Sequence, residues 1–298
     1  MLVRLRRDPL QKEGSPLVGL LMAAPAIVIV AVFLLYPIAQ TVVLSFHDWA
    51  GIGPRRFVGL SNYARALNDP IARLALWNNI VYSAGIIVLG VMTGLILASM
   101  LASNVRGRTV YQAIFFAPRL LTQVIVSIVW SWIYNPRFGI VNQLLRSVGL
   151  EQFAIGWLGN PTWALPSVIV AASWTYFGFC MVIFLAAFGN TNPDLRDAAI
   201  MDGANGVQIF VHVIVPQIRH VIVMVMVYTV IDSFKVFDIV YIMTGGGPGD
   251  RTQILATYLY RESFRLHDFG YGATLAVILT IFVVGVAILF QRIRAEEV

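Results

Sequence analysis

The sequence predicts an all-α integral membrane protein of six transmembrane helices. Hydrophobic residues fill 58% of the 298 positions and charged residues only 12%. The apolar residues gather into runs of roughly 20 or more, about the length an α-helix needs to cross the hydrocarbon core of a bilayer. The one cysteine, Cys180, lies inside such a run, which rules out an intrachain disulfide and leaves packing as its expected role.

Taken in order, the spans are expected at 17–44, 78–101, 110–134, 163–188, 219–243 and 271–291. The first follows "MLVRLRRDPLQK", a basic start like that of a signal peptide, but its apolar run is too long and no convincing cleavage site follows. It reads as a retained helix. An even number of spans puts both termini on one side. With the termini cytoplasmic, the inner segments carry Arg4, Arg6, Arg7, Lys12, Arg106, Arg108, Arg196, Arg219, Arg292 and Arg294, and the outer segments carry almost as many cations. The inner ones fall on shorter segments and beside helix ends, as in "NVRGR" and "QRIR", which favours termini inside. The net charge of +6 then belongs to membrane-flanking loops and is not a nucleic-acid footprint. The chain divides accordingly into a cytoplasmic N-terminal segment, 1–16, a transmembrane domain, 17–291, with a cytoplasmic loop at 189–218, and a cytoplasmic tail, 292–298.

That loop contains "DAAIMDGANGVQIFVHVIVP", residues 197–216, a helix-patterned stretch where the other inner connections are little more than charged turns. Asn192 is placed to cap a helix with Pro193 at its first position, and Asp194 and Asp197 suit the positive end of the helix dipole. Gly203 tolerates the positive φ of a sharp turn, after which "NGVQIF" opens a second helix. Small side chains at Ala198, Ala199, Gly203 and Ala204 let another protein's backbone come close. From these residues alone an amphipathic helix lying on the inner leaflet stays open as the alternative.

The order Asp197-Ala198-Ala199, then Asp202-Gly203-Ala204, then Pro216 resembles the cytoplasmic coupling motif of permease subunits in binding-protein-dependent ABC importers. The stretches "NNIVYSAGIIVLGVMTGLILASML", "RGRTVYQAIFFAPRLLTQVIVSIVWSWIYNPRFGIVNQLL" and "FKVFDIVYIMTGGGPGDRTQILATYLYRESF" are similar to successive parts of the carbohydrate-uptake branch, whose members handle maltose-type sugars and glycerol phosphates. Two positions depart from the motif: Asp197 stands where Glu is usual, keeping the charge with a shorter reach, and Val215 precedes the proline where Leu is frequent. The resemblance implies the type I ABC importer permease fold, with the helix-turn-helix as a coupling helix docked in a groove of a separate ATPase. It further implies that Asp197, Ala198, Ala199, Asp202, Gly203, Ala204 and Pro216 form the coupling surface. The implied partners are a second homologous permease, an ATPase dimer that binds ATP and Mg, an extracytoplasmic solute-binding protein and membrane lipid. No cofactor is expected in this chain, and a bacterial inner membrane is the expected location.

The energy source agrees with such a partner. A self-sufficient pump needs a phosphate-binding loop of the form GxxxxGK followed by Ser or Thr, and neither Lys12 nor Lys235 lies in one. His47, His212, His220 and His267 show no metal-binding spacing, and no GxSxG nucleophile elbow occurs, so an enzyme is not expected.

Polar groups at membrane depth point to a pathway or a helix contact. Arg119 follows Pro118, roughly 14 Å along the third span at about 1.5 Å per residue. Pro118 removes one helix hydrogen bond and is expected to loosen that span around a cavity. Three readings of Arg119 stay open: a structural bridge to Asp232, snorkelling to water, or contact with a hydroxyl-rich or anionic cargo. Trp174, Tyr176 and Phe177 in "SWTYFGF" are candidates to stack on sugar rings and equally candidates for packing, and Gly178 suggests a close helix approach. Asp232, Lys235 and Asp238, three apart, are expected to share one helix face as an ion-pair ladder, with lining of the cargo path as the second reading. Trp49, Trp77, Trp130, Trp132 and Trp157 read as interfacial anchors, and "TGGGPGDRTQ" as an external turn. The whole reads as one permease subunit of an ABC importer for a sugar or sugar-like, possibly anionic, solute. The alternatives are an ion-coupled secondary transporter using Asp232 and an assembly scaffold.

Overall fold

The second span shows how local chemistry sets the architecture. Its helix runs Pro70–Ala102, because Asp69 accepts from the backbone N–H of Ile71 at 2.8 Å and Pro70 starts the first turn with its φ already helical. The apolar run alone places this start at 78, eight residues later. Asn78 and Asn79 are both buried: Asn78 Nδ2 donates to the carbonyls of Arg251 and Gln253, and Asn79 Oδ1 accepts from Leu255 N.

The computed structural model describes residues 16–102 and 105–295. Arg4, Arg6, Arg7 and Lys12, with the end of the C-terminal tail, lie outside the described residues. Four helices cross as continuous apolar segments: Leu20–Leu44, Pro70–Ala102, Ala164–Phe188 and Phe269–Phe290. Two further candidate crossings are interrupted: Arg108–Leu120 meets Gln123–Ile133 at 98°, and Arg219–Phe234 is entered at 74° by the helix Gly206–Gln217 that precedes it. Beyond the spans, the short helices Ser61–Asn68 and Ile140–Ser147 and a two-stranded ribbon pairing His47–Asp48 with Arg56–Phe57 cap one end of the bundle.

The core forms where the second, third, fourth and fifth spans meet, around Tyr82, Ile86, Val126, Val168, Met181 and Phe184. The fourth span is the most enclosed, and the first carries no buried residue in its apolar window. Gly178 makes one contact of this core possible, since a Cβ there would lie 2.0 Å from the carbonyl oxygen of Phe115 on the third span.

The third and fifth spans differ from the expected continuous helices. After Phe116 the third span tightens to a 3₁₀ turn, Ala117–Leu120, goes extended at Leu121, and restarts at Gln123, with Thr122 Oγ1 accepting from Ile125 N. Pro118 has no N–H to carry the α-ladder onward. The fifth span ends at Phe234, and Lys235, Val236 and Phe237 separate it from the short helix Asp238–Met243. The expected single helix face for Asp232, Lys235 and Asp238 therefore does not exist, and among the described residues no ion pair links them.

The end of the bundle holding "TGGGPGDRTQ" is knitted rather than a bare turn. Thr252 Oγ1 donates to Gly247 O at 2.7 Å and meets Thr244 Oγ1 at 2.7 Å. Beside it Asp69 Oδ2 accepts from the hydroxyls of Tyr258 and Tyr271, and Arg65 stacks over the Tyr271 ring while pairing with Asp268 at 2.6 Å and Glu262 at 3.5 Å. Burial acts to raise the Asp69 pKa, but the two hydroxyls and the first backbone N–H groups of the helix overcome it and hold the carboxyl below its ordinary value. Glu262 goes the other way: burial lifts it despite Arg261 and Arg65.

Candidate functional site

At the opposite end of the fourth span the chain leaves the bundle as a helix-turn-helix. Asn192 Oδ1 accepts from Asp194 N at 2.9 Å, and the helix Pro193–Met201 follows. It closes with two backbone bonds, Gly203 N to Ile200 O and Ala204 N to Ala199 O, both 3.0 Å. That pairing requires a left-handed residue, and Gly203 supplies it with φ +80°. Asn205 and Gln208 then form a reciprocal capping box that starts the second helix. The two ends of the helix-turn-helix are tied to each other by Gln217 Oε1, which accepts from Asn192 N at 2.8 Å.

Of the predicted coupling residues, Asp197, Ala198, Asp202 and Gly203 are exposed, Ala199 and Ala204 are half-buried, and Pro216 is exposed just before the bend into the fifth span. Nothing lies within 4 Å of where a Cβ on Gly203 would sit. A side-chain cap starts each helix of the projection, and beside its small residues it exposes the large apolar side chains of Leu195, Ile200, Met201 and Val207.

Deeper in the bundle the break of the third span opens a cavity of about 220 Å³. Arg119 and Gln123 face it from the third span, Tyr82 from the second, Thr175 and Tyr176 from the fourth. Asp232, Ser233, Lys235, Phe237 and Asp238 line it from the broken end of the fifth. The Arg119 guanidinium lies 4.9 Å from the Phe179 ring centroid and 5.3 Å from that of Tyr176. Tyr176 in turn donates its hydroxyl to Asp232 Oδ2 at 3.2 Å. No direct ion pair joins Arg119 to Asp232 among the described residues, because the tyrosine stands between them. The Ser233 hydroxyl is buried beside the cavity with no protein partner. Cations and carboxylates are matched, two of each, on a wall that also carries hydroxyl and amide groups.

Residues 87–295 match the family described as binding-protein-dependent transport system inner membrane component. The chain belongs to this family. The match covers the third to sixth spans, the projection and the cavity wall apart from Tyr82 and Ile86. The chain is 33% identical over 281 residues to the probable ABC transporter permease protein YurN of Bacillus subtilis, covering 93% of this chain and 96% of that one. It is 36% identical over 284 residues to the alpha-glucoside transport system permease protein AglF of Rhizobium meliloti, covering 93% and 82%. Among solved structures it resembles a chain of a bacterial alginate ABC transporter in complex with an alginate pentasaccharide-bound periplasmic protein, with a TM-score of 0.82 at 21% identity over 94% of this chain and 95% of that one. The fold is therefore that of a type I ABC importer permease, and the chain is an inner-membrane permease subunit of a binding-protein-dependent importer.

In this permease the predicted pathway residues separate into two groups. Arg119, Tyr176 and Asp232 meet at the cavity. Trp174 and Phe177 do not line it: Trp174 packs edge-on against Trp130 at 6.0 Å and Phe177 against Phe115 at 6.2 Å. Helical geometry fits the split: Ala172, Thr175 and Tyr176, at spacings of three and four, share the cavity face, whereas Trp174 and Phe177 fall on the other side of the helix. Trp130 and Trp157, expected as interfacial anchors, are half-buried in the same aromatic cluster, and Trp157 Nε1 donates to Asn142 Oδ1 at 2.8 Å. Tyr82, Gln123, Thr175 and Ser233 escaped the sequence reading. Each is an uncharged polar residue with a polar neighbour, Ser83, Thr122, Tyr176 and Asp232 respectively, and so stands out less than the lone charge of Arg119.

Proposed function

We propose that this permease subunit moves a sugar or sugar-like solute inward by alternating access, powered by a separate ATPase dimer that holds ATP and Mg. The observation that carries the reading is the helix-turn-helix: capped at Asn192 and Asn205, turned at Gly203 and exposed along Asp197, Ala198 and Asp202. Such a capped projection suits the transmission of motion from a partner to the third and fifth spans. Both termini and this projection are placed on the cytoplasmic side, with the domain boundaries read from the sequence. A second, homologous permease completes the pathway, and the apolar, exposed first span faces that subunit or lipid. An extracytoplasmic solute-binding protein delivers the cargo to the end of the bundle that holds the Asp69 junction.

The cargo reading rests on the cavity, together with relatives named for an alpha-glucoside and for alginate transport. Matched charges and several hydroxyl and amide groups suit a polyhydroxylated solute held weakly enough to leave. An acidic sugar is the narrower version and depends on Arg119. Uptake by the assembled complex in proteoliposomes tests it: Arg119→Gln should weaken an acidic sugar selectively, and equal affinity for that sugar in both proteins would sink the acidic version.

For the coupling role, mass spectrometry of the complex purified gently from native membranes is the direct experiment. Wild type should carry an ATPase and a second six-span protein, and Gly203→Trp should lose the ATPase. A wild-type complex without an ATPase, under conditions that preserve other membrane assemblies, would overturn the reading.

A further inference from the structure

A second cavity, of about 450 Å³, lies where the second and fourth spans end, the third begins and the helix-turn-helix departs. One wall is apolar, made by Leu185, Phe188, Ile209, Phe210 and Ile214, with the Phe188 and Phe210 rings edge to face at 6.3 Å. Two arginines line it, Arg108 from the first turn of the third span and Arg196 from the helix Pro193–Met201. No Asp or Glu is among the lining residues, and among the described residues neither arginine pairs with a carboxylate. The hydroxyls present are already committed: Ser99 Oγ donates to Ile96 O at 2.7 Å and Thr191 Oγ1 to Phe188 O at 2.8 Å.

Two unpaired cations beside an apolar wall, at the depth where membrane helices begin and end, call for a ligand with an anionic head and a hydrocarbon tail. We infer that this cavity binds an anionic phospholipid, its phosphate between Arg108 and Arg196 and an acyl chain along Leu185, Phe188 and Phe210. Basic clefts between helix ends are suited to acidic headgroups, and the arginine fork matches phosphate oxygens. The apolar wall selects a lipid over a soluble phosphate, because a free anion leaves that surface uncovered. Since Arg108 belongs to the bundle and Arg196 to the projection, one lipid ties the two together and stiffens the joint through which motion passes. The inference does not depend on the cargo.

The test uses the assembled complex in nanodiscs of phosphatidylcholine with or without phosphatidylglycerol, followed by native mass spectrometry of retained lipid. Wild type should retain phosphatidylglycerol, and R108Q/R196Q should bind it about 30-fold more weakly, the loss of two surface-charge attractions. Arg137→Gln, which removes a cation far from this cavity, should retain it as wild type does. Equal retention in R108Q/R196Q and wild type would overturn the inference. So would displacement of the lipid by millimolar glycerol phosphate, which would make the ligand a soluble phosphate. Loss of a protein subunit from R108Q/R196Q with lipid still retained would also overturn it, by assigning the arginines to a protein contact. If R108Q/R196Q does not assemble, wild-type retention must fall steeply as salt rises, and salt-independent retention would refute the site.

Discussion

The Tyr176 hydroxyl donates to Asp232 Oδ2 at 3.2 Å while its ring lies under Arg119, so one side chain joins the third, fourth and fifth spans at the cavity. Removing only the hydroxyl separates its two roles. Tyr176→Phe leaves the ring and takes the donor from a carboxylate, a loss of about 1.5 to 3 kcal/mol for a charged hydrogen bond. The expected outcome is a thermal midpoint of the purified complex lowered by a few degrees with unchanged subunit composition. A midpoint equal to wild type would show that the hydroxyl contributes nothing to the junction.

Arg119 should not be replaceable by lysine. A lysine keeps the charge but loses the planar face that meets Phe179 and Tyr176. With cation–π contacts of about 0.5 to 2 kcal/mol at stake, Arg119→Lys should lower the thermal midpoint of the purified complex by a few degrees. A midpoint equal to wild type would show that the stacking contributes nothing.

Gly203 tests the projection by conformation rather than bulk. Its φ of +80° is strained for any residue with a Cβ, although space around it is open. Gly203→Val should uncouple ATP hydrolysis from uptake more severely than Gly203→Asn, because asparagine visits the left-handed region more readily. Comparison of solute moved per ATP hydrolysed decides the order, and equal ratios would place the requirement elsewhere.

The Asp69 junction predicts a pH dependence. Asp69 has its pKa lowered on folding, so its stabilisation is present above its ordinary value of 3.8 and is lost as pH falls through the folded value. Glu262, raised by burial, contributes the opposite slope: its stabilisation holds below 4.5 and fades as pH rises through its folded value. Asp69→Asn should therefore flatten the acid limb of thermal stability in detergent, and Glu262→Gln the limb above pH 4.5. Parallel curves for wild type and Asp69→Asn would contradict this account.

Much of the architecture was legible because its causes are local. Six apolar runs, the Asn192 cap with Pro193 behind it, the Gly203 turn and the Pro118 break each depend on residues within a few positions of one another. The extent of the breaks was not: the third span bends by 98° and the fifth stops at Phe234, because neighbouring helices and not sequence periodicity decide where an interrupted helix resumes.

What the sequence by itself determined was the membrane class, the position of the projection and the presence of costly polar groups at depth. Which of those groups meet was decided only by the tertiary structure. Tyr176 and not Trp174 or Phe177 faces the cavity, Tyr176 intervenes between Arg119 and Asp232, and Asp69 receives a hydroxyl from Tyr271 at 2.6 Å across 202 positions. The physical reason is that a cap or turn closes within a few residues of the chain, whereas a side chain's partner across a bundle depends on how whole helices rotate and cross when their surfaces pack.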